Sequence, residues 1–207
     1  MDVVIRRLTP DLLQDYLHFF ETDAHSDNPN EERCYCVGWS NANHYPAVDF
    51  HAADKRREAA IDYINNNLIQ GYLAYINKRV VGWCNANTKS NCLSCDGWLR
   101  FKTAVTTGEY NTDAKVKSIY CFAIAPDMKR HGIATKLVER VCKDATDDGF
   151  SFVEAYPEQH FVDTFRAMGG ALEMYIRNGF DITQKINDKY KGKYDLNYYV
   201  VRKALVQ

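Results

Sequence analysis

Apolar residues in this chain come in two patterns: short β-branched or aromatic runs, and longer stretches where they recur every three or four positions. Leu12, Leu13, Tyr16, Leu17 and Phe20 recur at helical spacing after Thr9-Pro10. Thr9 suits the cap of a helix and Pro10 its first turn. Ala59, Ile61, Ile64 and Leu68 predict a second helix over residues 53–68, with Gly71 as its stop. Ile133, Leu137, Val138, Val141 and Ala145 form the buried stripe of a third, over residues 133–147. Glu139 and Lys143 stand four apart on its outer face, and Gly149 ends it. A fourth helical stretch ends at Gly179. Strands are predicted at residues 3–5, 72–76, 80–85, 116–125, 151–156, 180–185 and 198–203. Asn77-Lys78-Arg79 links the second and third as a hairpin, and a Lys-rich polar loop joins the last two. Residues 23–40 read as irregular, with a turn at Asn28-Pro29, and residues 90–113 as a long insertion. The order β-α-α-β-β-β-α-β-α-β-β predicts a single α/β domain over residues 1–207 with a mixed sheet.

Composition narrows this picture. With 46% hydrophobic and 26% charged residues, the chain is neither disordered nor fibrous. A formal net charge of -1 gives no global field toward nucleic acid or an anionic membrane, so any phosphate must be bound locally. No run approaches the roughly 18 apolar residues that span a bilayer, and no apolar leader follows a basic start. The expectation is a soluble cytoplasmic protein, a monomer or homodimer, with no nucleic-acid or membrane partner. Seven cysteines without a secretory leader read as reduced thiols. Cys34-x-Cys36 and Cys92-x-x-Cys95 could join as a four-thiolate zinc site. The two pairs lie far apart, and packing is the reading preferred; no metal is expected. Cys84, Cys121 and Cys142 read as small core residues.

One segment carries chemistry. Residues 119–126 form a strand, residues 127–132 a turn, and a helix follows. Gly132 can take a backbone conformation closed to other residues, so successive N–H groups can face one anion. The helix start adds unpaired N–H groups and the positive end of its dipole. Lys129, Arg130 and His131 ring the turn with donors, and small Ala134 permits close approach. Lys129-Arg-His-Gly132-Ile-Ala134 resembles the Q/R-x-x-G-x-G/A motif of the GNAT superfamily of acyl-CoA-dependent N-acyltransferases, with Lys in place of Gln or Arg at the first position. Downstream, Ala171-Leu-Glu-Met-Tyr175-Ile-Arg-Asn-Gly179-Phe180 matches the superfamily's A-x-x-x-Y-x-x-x-G-F at every specified position. Residues 27–36 resemble a stretch found in a bacterial branch of the same superfamily.

This resemblance implies a GNAT-type α/β (α+β) fold: a central mixed, mostly antiparallel sheet of about six to seven strands flanked by about four helices. It implies acetyl-CoA as co-substrate and a primary amine of a small molecule as acceptor, attacking directly without a covalent enzyme intermediate. Acetylation of a peptide or protein amine, or a catalytically silent acyl-CoA sensor, are the alternatives. By the same resemblance Phe122, Ala123 and Ile124 meet the pantetheine arm. Lys129, Arg130, His131, Gly132, Ile133, Ala134 and Thr135 hold the pyrophosphate. An N–H near Phe122 polarises the thioester carbonyl, a type of contact worth about 3 kcal/mol per donor. Tyr175 is the candidate general acid for the departing thiolate; spacing alone favours packing with Met168, Leu172 and Ile176. Glu154 is one candidate base, Tyr120 and a water chain are others, and Glu154 reads at least as readily as a solvated or ion-paired strand residue. Trp39, Trp98, Phe101 and Tyr110 fall in the irregular segments and either line an acceptor pocket or pack on the sheet.

Overall fold

The computed structural model describes residues 2–27, 33–40, 52–106, 114–158, 169–190 and 194–206. The described residues form one seven-stranded sheet with helices on both faces. The strands are β1 (Val4–Arg7), β2 (Gly71–Ile76), β3 (Arg79–Thr88), β4 (Val116–Ile124), β5 (Phe152–Ala155), β6 (Asp181–Tyr190) and β7 (Tyr194–Ala204). Their spatial order is β1-β2-β3-β4-β5-β7-β6. Every neighbouring pair is antiparallel except β4 and β5, which run parallel. A parallel pair needs a crossover, and the amphipathic stripe predicted at residues 133–147 supplies it.

The helices are α1 (Leu13–Thr22), α2 (Ala53–Asn65), α3 (Asp96–Phe101), α4 (Ile133–Asp147) and α5 (Leu172–Arg177). Two cores result. One sheet face carries α1, α2 and α3 around Tyr16, Phe20, Tyr63, Trp83 and Trp98. The other carries α4 and α5 around Leu137, Val141, Tyr175 and Phe180. A side chain at position 82 would meet Ile133 and Ile124 at 2.9 and 3.0 Å, so glycine there lets α4 lie close to the sheet.

Several elements depart from the sequence expectation. The predicted insertion is not wholly irregular: it holds α3, preceded by a 3-10 turn at Lys89–Asn91, while residues 107–113, with Tyr110, lie outside the described residues. β3 runs to Thr88, three residues past the predicted end. The predicted Lys-rich loop between the last strands is instead mostly a hairpin, paired out to Tyr190 and Tyr194. Its composition is polar because ladder bonds there join backbone groups, which any side chain allows. Lys143 pairs with Asp147 at 2.5 Å and not with Glu139. Asn28-Pro29, Met168 and most of the helical stretch before Leu172 lie outside the described residues. The hairpin at residues 77–79 is present: Asn77 and Lys78 both have positive φ, as a two-residue turn between twisted strands requires.

Candidate active site

The site begins with a fault in the sheet. Asn85 pairs with Cys121 and Ala86 with Ile119, so Tyr120 has no partner on β3. One extra residue on a strand is a bulge, and it bends the strand. The side chains confirm it: Tyr120 and Cys121 both face the α1–α3 core, while Ile119, Phe122 and Ile124 face the α4 side. Pairing of β4 with β5 ends at the same point, with Ile119 opposite Ala155. Beyond it the two parallel strands part. The backbone of Phe122, Ala123 and Ile124 then presents its β5-facing edge to no strand among the described residues.

β4 leads through a 3-10 turn, Pro126–Met128, to the start of α4. Gly132 has φ +76° and caps α4 without a side-chain hydrogen bond. The first helical bond is Lys136 N–H to Gly132 O at 3.1 Å, which leaves the N–H groups of Ile133, Ala134 and Thr135 without helical acceptors. Arg130 also has positive φ, 64°, so the turn curls its amides toward one side. Arg130, His131 and Gly132 are exposed. His131 Nδ1 lies 2.9 Å from Lys129 O. The Lys129 ammonium pairs with Asp27 at 2.5 Å and holds that carboxyl below its usual range. The hairpin tip braces the turn from below, with Arg79 bonding Asp127 through both nitrogens at 2.7 and 3.1 Å.

Tyr175 lies on α5, fully buried, with its ring edge-on to Phe180 at 5.2 Å. Its hydroxyl donates to Gly169 O at 2.9 Å. Burial first, then the neighbouring thiols Cys84, Cys142 and Cys121, push the phenol well above its ordinary value, so it keeps its proton.

Glu154 sits in an environment that the sequence did not show. It is buried, and its carboxylate accepts from Lys89 Nζ at 2.8 Å, from Arg202 Nε and Nη2 at 3.1 and 2.5 Å, and from Tyr156 Oη at 2.5 Å. With its acceptor directions filled by four donors, it offers no lone pair to an incoming ammonium. The carboxylate thus anchors Tyr156 and pairs with Lys89 and Arg202. Ser118 Oγ, 3.2 Å away, completes the Tyr156 contacts.

Tyr156 is the first residue past the β4–β5 pairing. Its ring stacks on Tyr120 at 5.6 Å and 15°, and Tyr120 stacks on Trp39 at 4.9 Å and 9°. Trp98 meets both tyrosines edge-on, at 6.5 and 6.1 Å. Trp39 and Trp98, expected at an acceptor pocket or packed on the sheet, are thus buried against the bulge, with Phe101 tilted on Trp39 at 6.4 Å. Sequence reasoning singled out Tyr120 but passed over Tyr156, Ser118, Lys89, Lys102 and Arg202. Only the aromatic density around Trp98 hinted at this cluster. The cysteines are all free thiols, and Cys84, Cys121 and Cys142 are buried. Among the described residues no three His, Cys, Asp or Glu side chains gather as metal ligands, and no helix is long and apolar enough to cross a membrane.

The same fold occurs in known proteins. The chain resembles the polyamine N-acetyltransferase of Drosophila melanogaster, which forms N-acetylagmatine, at 13% identity and TM-score 0.60 over 99% of this chain and 100% of that one. The NatC complex bound to a Gag peptide and CoA is similar at 14% identity and TM-score 0.57, with 100% of both chains covered. A putative acetyltransferase from Salmonella typhimurium, solved with its cofactor acetyl-CoA, is similar at 14% identity and TM-score 0.52, over 99% and 95% of the two chains. At such identities these likenesses speak for the fold. No curated protein matches the chain. The sequence profile of the Acetyltransferase (GNAT) family matches residues 23–180, which span the bulge, the glycine turn and Tyr175. The chain belongs to the GNAT family of acetyltransferases.

Proposed function

We propose that this enzyme transfers an acetyl group from acetyl-CoA to a primary amine of a small molecule, by direct attack in a ternary complex. The observation that carries the reading is the parting of β4 and β5 at the Tyr120 bulge, on a strand that leads into the Gly132 turn. An extended amide-bearing arm fits a strand edge, and a pyrophosphate fits the amides of a helix start. In this reading the backbone of Phe122, Ala123 and Ile124 pairs with the pantetheine arm. The amides from Arg130 to Thr135, with the side chains of Lys129, Arg130 and His131, hold the phosphates. The site needs no metal. An N–H of β4 beside the bulge polarises the thioester carbonyl.

Tyr175 then protonates the leaving thiolate. Burial keeps the phenol protonated until the thiolate departs, and the same burial makes the proton harder to release, so the transfer relies on direct contact with the sulfur. To reach the sulfur, its O–H turns away from Gly169 O. The acceptor approaches on the other face of the sheet, where Trp39, Tyr120 and Tyr156 form a buried aromatic wall. Such enclosure favours a small molecule over a folded protein surface.

The test is a panel of primary amines, aliphatic, diamine, aryl-alkyl and peptide, incubated with purified enzyme and acetyl-CoA while free thiol is followed. Saturable turnover of a small amine is expected. Turnover of peptides alone would shift the assignment to a peptide amine. Tight acetyl-CoA binding without any turnover would make the chain a sensor.

A further inference from the structure

Lys102, the residue that ends α3, has a side chain that the reading above leaves unused. It is 8% exposed. Its ammonium nitrogen lies 3.7 Å from the centroid of the Tyr198 ring, 5.0 Å from that of Tyr156 and 5.9 Å from that of Trp39. No hydrogen-bond acceptor among the described residues reaches it. Its surroundings are three ring faces from three parts of the chain.

The position of these rings matters. Tyr156 and Trp39 are the outer rings of the stack whose middle ring is Tyr120, the bulged residue of β4. The Lys102 amine therefore touches both ends of a wall that starts at the point where β4 leaves β5. It stands one ring away from the strand edge proposed to hold the thioester.

We propose that Lys102 is the general base of the transfer: its amine takes a proton from the ammonium of the acceptor, and the Tyr198, Tyr156 and Trp39 rings stabilise the lysine cation that forms. This rests on the acetyl-transfer reading. The step balances as follows. The acceptor arrives as R–NH3+ and gives one proton to the Lys102 nitrogen. The freed R–NH2 attacks the thioester carbon; the C–N bond forms and the C–S bond breaks. Tyr175 supplies a proton to the thiolate, the second nitrogen proton, lost as the amide forms, restores the Tyr175 phenol by way of solvent, and the net release is one proton, carried off from Lys102.

The electrostatics agree with this geometry. Burial lowers the Lys102 ammonium to about 7, against the opposing pull of Glu158. Glu158 follows β5. The other titratable groups near Lys102 are the phenols of Tyr156 and Tyr198, with Glu154 one hydrogen bond further on through Tyr156. At neutral pH a good share of Lys102 is unprotonated, as a base must be. Ring faces attract a cation by their quadrupole without taking up its protons, so they favour proton uptake without blocking it.

The experiment is the pH profile of kcat/KM for the best small amine, in wild type and in Lys102→Met. In wild type the profile should climb through a midpoint near 7 and level off. In Lys102→Met it should drop by about 100-fold near neutrality. It should then keep rising toward the free amine's own value of about 10, with acetyl-CoA affinity and melting temperature not lowered. An independent readout needs no variant: the Lys102 side-chain resonance in isotope-labelled wild-type enzyme should titrate near 7. If the limb near 7 survives in Lys102→Met with activity close to wild type, the inference falls while the acetyl-transfer reading stands. If the Lys102 resonance titrates near its ordinary value, the inference falls as well. If no amine is turned over by wild type, the transfer reading falls and takes this inference with it.

Discussion

At the start of α4, charge is met by backbone; around Tyr156 it is met by side chains. The Gly132 turn is exposed and local. Its amides, its positive φ and its three basic neighbours all lie within seven consecutive residues, 129–135. The Tyr156 cluster is buried and assembled from afar: Trp39, Lys89, Lys102, Tyr120, Glu154, Tyr198 and Arg202 come from six different elements or turns. Water reaches the turn. The cluster holds two cations and a carboxylate away from water, so each depends on the others. A surface site tolerates the loss of one side chain; a buried network does not.

Glu154→Ala should be the most damaging. It strands Lys89 and Arg202, whose side chains are 6% and 15% exposed, beside a vacancy. Removal of one partner from a buried charge network costs about 3–5 kcal/mol. Denaturant unfolding should show that loss. A loss below about 1 kcal/mol would mean that water already reaches the network.

Tyr175→Phe should come next, through the reaction. The proposed acid is lost, and turnover should fall roughly 100-fold, with acetyl-CoA binding little changed. Stability should fall by only about 1 kcal/mol for the hydrogen bond to Gly169. Equal turnover in the two proteins would leave Tyr175 as a packing residue.

Lys102→Met affects stability in a pH-dependent way, apart from any activity. The folded-state value, about 7, lies below the ordinary 10.5. Below pH 7 the lysine is protonated in both states, and the folded protein bears the full penalty of a buried charge. Between the two values the unfolded chain binds more protons, so wild-type stability on this account rises with pH. Lys102→Met should therefore stabilise the enzyme at pH 6, an advantage that fades toward pH 10. Melting curves at several pH values check it; a constant difference would contradict the buried-charge account.

Gly132→Ala should cost about 1 kcal/mol in stability, because alanine strains a positive φ. It should weaken acetyl-CoA binding more than it lowers turnover at saturation. Lys129→Met should do least. The side chain is half exposed and paired with Asp27, and such pairs contribute about 0.5 kcal/mol. A small, salt-sensitive rise in the Michaelis constant for acetyl-CoA is the expected outcome. The atypical lysine in the motif is then explained: its slot acts mainly through backbone.

Much of the fold was legible because it depends on short-range periodicity. The α4 stripe, the β4 run and the Asn77-Lys78 turn each carry their signal within a dozen residues. The errors lie where local pattern does not decide. α3 is six residues long, too short for a periodic stripe to stand out. The β6–β7 hairpin is polar through the part predicted as a loop, and strand pairing uses backbone groups that composition does not reveal. The ion partners of Glu154 are not legible locally, because they lie 48 positions onward, at Arg202, and 65 positions back, at Lys89.

The family, the crossover, the glycine turn and the tyrosine on α5 were legible in the order of the residues. All of these follow from spacing along the chain, and residues a few positions apart have few ways to be arranged. That Tyr120 is bulged, that β4 and β5 part there, that Glu154 is held by Lys89, Arg202 and Tyr156 and that Lys102 lies against three rings emerges only in the folded molecule. These are contacts between residues far apart in sequence. Their energies depend on burial and mutual geometry, and both exist only once the sheet has formed.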